Sequence, residues 1–163
     1  MLRQLGWKTR KAIPSNLLHN GKGDNTMPTQ EQGMIISLMI AVPDAPAAVA
    51  WYKQVLDATE LWNLGSVVGL EIAGSPFFLA EPAKNGWNNP QELGSTTVRV
   101  QLFCDNPDAV IARAVAAGAN GTFDPIKDHH MPWGIHRQGG FIDPFGHIWL
   151  VGDKSPLSAH PSA

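Results

Sequence analysis

The sequence predicts an α+β protein of two tandem β-α-β-β-β units, forming a curved mixed sheet around a trough with the helices outside. Three observations predict it. From Met34 onward, short apolar runs alternate with one segment of helical spacing in the order strand, helix, strand, strand, strand. The same order returns after a stretch rich in Gly, Asn and Pro at 83–95. Finally, "AVPDAPAAVA" at 41–50 lies 62 positions before the similar "FCDNPDAVIA" at 103–112, an internal duplication.

The elements follow in order. "MIISLMIAV" (34–42) has strand length and ends at "PDAP". Asp44 is placed to cap the helix "APAAVAWYKQVLDA" (45–58), in which Val49, Tyr52, Val55 and Leu56 share a face. "TELWNL" (59–64), "VVGLEIA" (67–73) and "PFFLAEP" (76–82) are strands divided by Gly-Ser turns, and 83–95 is a linker. The second unit opens with the strand "TTVRVQLFC" (96–104). A helix follows over 105–119, with Pro107 in its first turn and Gly118 at its end. Strands at 121–126, 134–143 and 147–153 complete it. The domain therefore spans 34–153, as units 34–82 and 96–153, with a tail at 154–163.

Totals bound the function. The 163 residues are enough for one domain with a real core, and 44% apolar with 16% charged is a globular composition. A net charge of -2 gives no electrostatic reason for nucleic acid or an anionic membrane as partner. No apolar run reaches spanning length. The single Cys104 excludes an intrachain disulfide and fits a reducing cytoplasm. Residues 1–33 carry five cations against two acids and lack an apolar signal core. They read as a disordered extension, or an over-long start before Met27 or Met34, in preference to a transit peptide.

Alternation within strands assigns faces. Ile36, Leu38, Ile40 and Val42 go under the first helix, leaving Ser37, Met39 and Ala41 toward the trough. Val98, Val100, Leu102 and Cys104 go under the second, leaving Arg99, Gln101 and Phe103. In the last strand Trp149 and Val151 are core, while Ile148 and Leu150 face the trough. Trp62, Trp87 and Trp133 border its mouth, either stacking on a flat ligand or anchoring loops and a subunit contact. The bland alternative is that these side chains fill a closed core. Arg99 argues against that, because a buried guanidinium needs a partner, for which Glu71 or Glu81 would serve.

His129, His130, His136 and His147 gather in "HHMPWGIHRQGGFIDPFGH". Adjacent His129 and His130 point apart in an extended chain, and the segment reads as an exposed loop before Trp133. His147 and Asp143 read as structural groups of the turn. Cys104 reads as core, and no phosphate loop, nucleotide fingerprint or Ser-His-Asp elbow is present.

"VPDAPAAVAWYKQVLDA", "DAVIARAVAAGA" and "PWGIHRQGGFIDPFGHIWLV" together resemble the vicinal oxygen chelate superfamily: glyoxalase I, bleomycin-resistance proteins, fosfomycin-resistance transferases and extradiol dioxygenases. The Trp-Gly and Asp-Pro-Phe-Gly-His-x-Trp ending looks most like its PhnB-like branch. The resemblance implies four positions for a divalent metal, which fall here on Ser37, Phe78, Arg99 and Leu150. Two have no donor atom and one is a cation. No metal is expected there, no cofactor is implied, and no catalytic residue is assigned.

The trough is expected to hold a small aromatic or amphipathic molecule among Ser37, Met39, Trp62, Phe78, Arg99, Gln101, Phe103, Trp133, Ile148 and Leu150. The reading is a metal-independent, antibiotic-like small-molecule binding protein of the bleomycin-resistance type, cytoplasmic and, by family habit, a homodimer. The alternative is a glyoxalase-like lyase, isomerase or dioxygenase with a non-standard metal site drawn from Glu71, Glu81, His129, His136 or His147.

Overall fold

The computed structural model describes residues 35–83 and 87–158, so the leader 1–33 and its alternative readings lie outside the described residues. In the first unit β1 (Leu38–Ala41), α1 (Ala45–Leu56), β2 (Thr59–Asn63), β3 (Val67–Ile72) and β4 (Ser75–Ala80) follow one another. A short helix α2 (Pro90–Leu93) leads to β5 (Arg99–Phe103), α3 (Pro107–Ala116), β6 (Asn120–Met131), β7 (Gly134–Ile142) and β8 (Ile148–Gly152), with α4 (Ser155–Ser158) behind. The α+β fold of two repeated units is as the sequence predicts. Each unit hydrogen-bonds as its own four-stranded mixed sheet, in the orders β1-β4-β3-β2 and β5-β8-β7-β6. The first strand of each unit pairs parallel with the last, and the remaining pairs are antiparallel.

The repeated helix start works the same way in both units. Asp44 accepts from the Ala47 N–H at 2.8 Å, and Asn106 from the Ala109 N–H at 3.0 Å. Each cap satisfies one of the amides that a helix leaves open, and a proline beside it presets the first turn. The last turn of α1 ends at Asp57 in the left-handed region, φ 53°.

The helix-covered faces of both sheets meet in a single core. Trp51 and Tyr52 of α1 reach across the units, Trp51 edge-on to Phe141 and Tyr52 against Trp149. Phe77 of β4 meets Trp149 of β8 edge-on at 6.3 Å. Polar ties reinforce this seam. The Trp51 indole donates to the Ala117 carbonyl at 2.9 Å, and Arg113 Nε donates to the Val55 carbonyl. His147 Nε2 bonds the Ala41 carbonyl at 2.8 Å, so the turn histidine ties the second unit's last hairpin to β1.

Asp143 does more than shape its turn. One carboxylate oxygen accepts the Phe145 and His147 amides, and the other accepts the Tyr52 hydroxyl and the Trp149 indole. A buried carboxylate with four donors is satisfied where an unpaired one would be prohibitive. Burial, then the neighbouring Asp143 charge, raises the Tyr52 phenol well above its ordinary value.

Three segments differ from their sequence reading. The linker holds α2, a single turn started by a reciprocal Asn89–Glu92 capping box and too short to show periodicity. The tail begins with α4. The third is β6, which runs on through Met131, so His129 and His130 lie in a strand and not in a loop. Arg137 makes this extension, binding Asp128 across the hairpin and Asp108 at the start of α3. Gly134 takes φ 124° at the two-residue turn formed by Pro132 and Trp133, which L side chains avoid.

Candidate functional site

With the core between the helix-covered faces, the other face of each sheet is open. Burial follows the predicted alternation in part: Ile40, Val42, Trp149 and Val151 are buried, while Met39, Arg99 and Gln101 are exposed. Ile36, Leu38 and Val98, expected under the helices, are exposed where β1 and β5 begin, and Ala41, expected toward the trough, is buried. On the first sheet, pairing sets Met39, Phe78, Gly69 and Trp62 in one row across four strands. A bulge between Glu60 and Trp62 brings the indole to this face. It lies over Gly69 and stacks on Phe78, with centroids 5.6 Å apart and planes 28° from parallel. Gly69 is required for this, because a Cβ there would stand 2.7 Å from Trp62 Cε2. Trp62 is still 41% exposed and Met39 54%. The row is an aromatic platform with its upper side bare.

The second sheet carries the polar half. Its rows are Arg99–Ile148–Ile142–Asn120, Gln101–Leu150–Gly140–Asp124 and Phe103–Gly152–Gln138–Lys127, with His136 opposite His129 beyond them. The Arg99 guanidinium lies 5.9 Å from the centre of the Phe123 ring. It finds neither Glu71 nor Glu81: Glu81 accepts the Ala45 N–H at the start of α1. His136 is nearly buried, with Nδ1 2.8 Å from Asp153 and Nε2 3.0 Å from Gln138 Oε1. Gln101 Nε2 approaches the same Gln138 oxygen at 3.4 Å. The Ser155 hydroxyl, the Arg137 amide and His136 hold the Asp153 carboxyl well below the usual range, so it is ionised. His129 lies beside His136, ring centroids 6.5 Å apart, and its Nε2 is buried with no partner.

Sequence reasoning named His129 and His136 among alternative donors but placed His129 on a loop, and so missed their pairing across the hairpin and the Gln138 and Asp153 contacts. Ser37 donates its hydroxyl to the Pro76 carbonyl at 2.6 Å. Trp133, 42% exposed, stands at the tip of the β6–β7 hairpin, apart from the platform. Cys104 is half-buried, and burial pushes its thiol up, which suits a packing residue better than a nucleophile.

Two cavities follow the seam between the edge strands β1 and β5. One, of about 410 Å³, has Ser37, Ile40, Phe77, Gln101, Phe103 and Trp149 in its wall. The other, of about 350 Å³, lies between Met39, Trp87 and Val98. Trp62, Phe78, Arg99, Trp133, Ile148 and Leu150 line neither, and belong to the open faces or the hairpin tip.

The profile of the Glyoxalase/Bleomycin resistance protein/Dioxygenase superfamily matches residues 34–151. The chain belongs to this superfamily. It is 32% identical over 144 residues to an uncharacterized protein of Mycobacterium tuberculosis (strain H37Rv), covering 82% of this chain and 81% of that one. Among solved structures, TioX from Micromonospora sp. ML1 aligns with TM-score 0.58 and 25% identity, over 74% of this chain and 98% of its own. A glyoxalase/bleomycin resistance protein from Albidiferax ferrireducens T118 also aligns with TM-score 0.58. At 17% identity over 74% of this chain and 99% of that one, the likeness is one of fold.

The superfamily's metal corner can be tested against these side chains. The Ser37 hydroxyl is spent on a carbonyl, Phe78 lies under Trp62, Arg99 is a cation over Phe123, and Leu150 has no donor. Those four residues do not fit a divalent ion. Of the alternative donors, Glu81 is bound to α1 and His147 to Ala41, while Glu71 sits on the first sheet. His129 and His136 alone are brought together among them.

Proposed function

We propose that this superfamily member binds a small, flat, amphipathic organic molecule, in the manner of bleomycin-resistance proteins and without a metal at the four family positions. The observation that carries the reading is the Trp62–Phe78 stack laid across Gly69 with its outer side exposed. An indole held flat by a ring beneath it offers a preorganised surface for a second ring. Large apolar side chains left exposed beside it support a homodimer in which a second copy frames the open faces. The Asp-Pro-Phe-Gly-His-x-Trp ending supports the PhnB-like branch, and a lone free cysteine supports a cytoplasmic setting. Among the described residues no helix is long and apolar enough to cross a membrane.

The test is titration with the uncharged probe N-phenyl-1-naphthylamine, read by its fluorescence. Saturable binding is expected, weakened about five- to tenfold in Trp62→Ala and Phe78→Ala, as loss of an aromatic contact of about 1 kcal/mol implies. Binding that ignores both substitutions would remove the platform from the function.

A further inference from the structure

The open face of the second sheet displays hydrogen-bond donors in excess. Gln138 Oε1 accepts from Gln101 Nε2 at 3.4 Å and lies 3.0 Å from His136 Nε2. His136 Nδ1 lies 2.8 Å from the Asp153 carboxylate and 3.1 Å from the Ser155 hydroxyl. With its oxygen engaged by Gln101, Gln138 has its amide N–H groups left to offer. His129 Nε2 has no protein partner.

Two full cations add to this. Lys127 pairs with Gln138 across the hairpin, and the Arg99 guanidinium reaches Phe123 of β6. Neither has a carboxylate partner among the described residues. Asp108 and Asp128 are engaged by Arg137. Asp124, lying against Gly140 on this face, and the ionised Asp153 beside His136 oppose them.

We propose that this strip, His129 with Gln138, Lys127 and Arg99, selects ligands carrying an anionic oxygen group, a carboxylate or sulfonate attached to the flat ring system. The inference rests on the binding reading above and names the chemistry of its ligand. A buried nitrogen without a partner is a defect in a finished core but an asset where an external acceptor is to be met. The Gln138 oxygen is already engaged by Gln101, which leaves Asp124 as the carboxylate against the strip that a cationic ligand would meet.

The test compares two probes of one skeleton: 8-anilinonaphthalene-1-sulfonate and the uncharged N-phenyl-1-naphthylamine. Wild type is expected to bind the sulfonate at least about tenfold more tightly. His129→Phe keeps the ring, and Lys127→Gln and Arg99→Gln keep length. Each is expected to weaken sulfonate binding and so cut that preference several-fold, and Asp124→Asn to raise it. Folding of each variant is checked by circular dichroism, and Lys127→Gln, at an exposed site, keeps the test open if His129→Phe misfolds. Equal binding of the two probes, or a preference untouched by all three cation-side variants, overturns the inference while the stacking reading stands. Failure to bind either probe fails both. Uptake of one Zn²⁺ per chain, abolished by His129→Phe, would reassign the pair as metal ligands and overturn it too.

Discussion

Tyr52→Phe isolates the tie that joins the two units. The hydroxyl donates to Asp143 at 2.6 Å, from α1 of the first unit to the last hairpin of the second. Phe fills almost the same volume, so the cavity contribution is small and the loss is that of one hydrogen bond to a buried charged acceptor. Such a bond contributes about 1.5–3 kcal/mol, and three donors remain on the carboxylate, so about 2 kcal/mol is expected. For a domain of this size that lowers Tm by roughly 5–10 °C. Urea unfolding followed by tryptophan fluorescence reads it as a lower midpoint with unchanged slope. The same substitution in an Asp143→Asn background should cost less, since the two groups act as one unit. The raised phenol pKa adds a second signature. Its stabilisation is complete below about pH 10 and is lost as pH rises further, so Tyr52→Phe should flatten alkaline unfolding. A Tyr52→Phe protein within about 0.5 kcal/mol of wild type would refute the claim that this bond locks the units.

Gly69→Ala should displace Trp62 from Phe78, since the new Cβ would stand 2.7 Å from the indole. Neutral-probe affinity is expected to fall about fivefold; unchanged affinity would mean the stack is not the binding surface. Gly152→Ala should push the His136 ring away, its Cβ falling 2.7 Å from Cε1, and cost about 1–3 kcal/mol in urea unfolding. Asp153 tests pH dependence. Its folded pKa is depressed, so its stabilisation is full above about pH 5 and is lost as pH falls below about 4. Asp153→Asn should therefore be less stable than wild type at pH 7, with the gap narrowing toward pH 3. A gap constant over that range would contradict the linkage.

Much of the fold was legible because its signals are local and stated twice. Asp44 and Asn106 start equivalent helices, and the first and last strands alternate cleanly enough at Ile40, Val42, Trp149 and Val151 for these to be assigned to the core. What escaped was set by other means. One-turn helices such as α2 and α4 have no period to detect, and the capping box at Asn89 is visible mainly once the turn is known. The extension of β6 owes its stability to Arg137, whose partners Asp128 and Asp108 lie 9 and 29 residues away in sequence. Nor can alternation show that Asp143 collects donors from both units, because Tyr52 is 91 residues distant.

The same reasoning divides the candidate site. Its apolar half follows from strand parity alone, since Met39, Phe78 and Leu150 are apolar whatever lies beside them. Its polar half depends on register, and register depends on a turn. His129 meets His136 because the hairpin closes with two residues, Pro132 and Trp133, before Gly134. Slipping β6 by one position would carry His129 to the opposite face and bring His130 beside His136's strand neighbours. The donor strip is thus a property of the hairpin as a whole: Gly134 admits the turn, and Arg137 holds the pairing from the far face. Gly152 leaves room for the His136 ring that orients Gln138. Two glycines and an arginine outside the ligand's reach decide which donors face it, which is why the residues read along the chain included Arg99, Gln101, His129 and His136 but not Gln138 or Lys127.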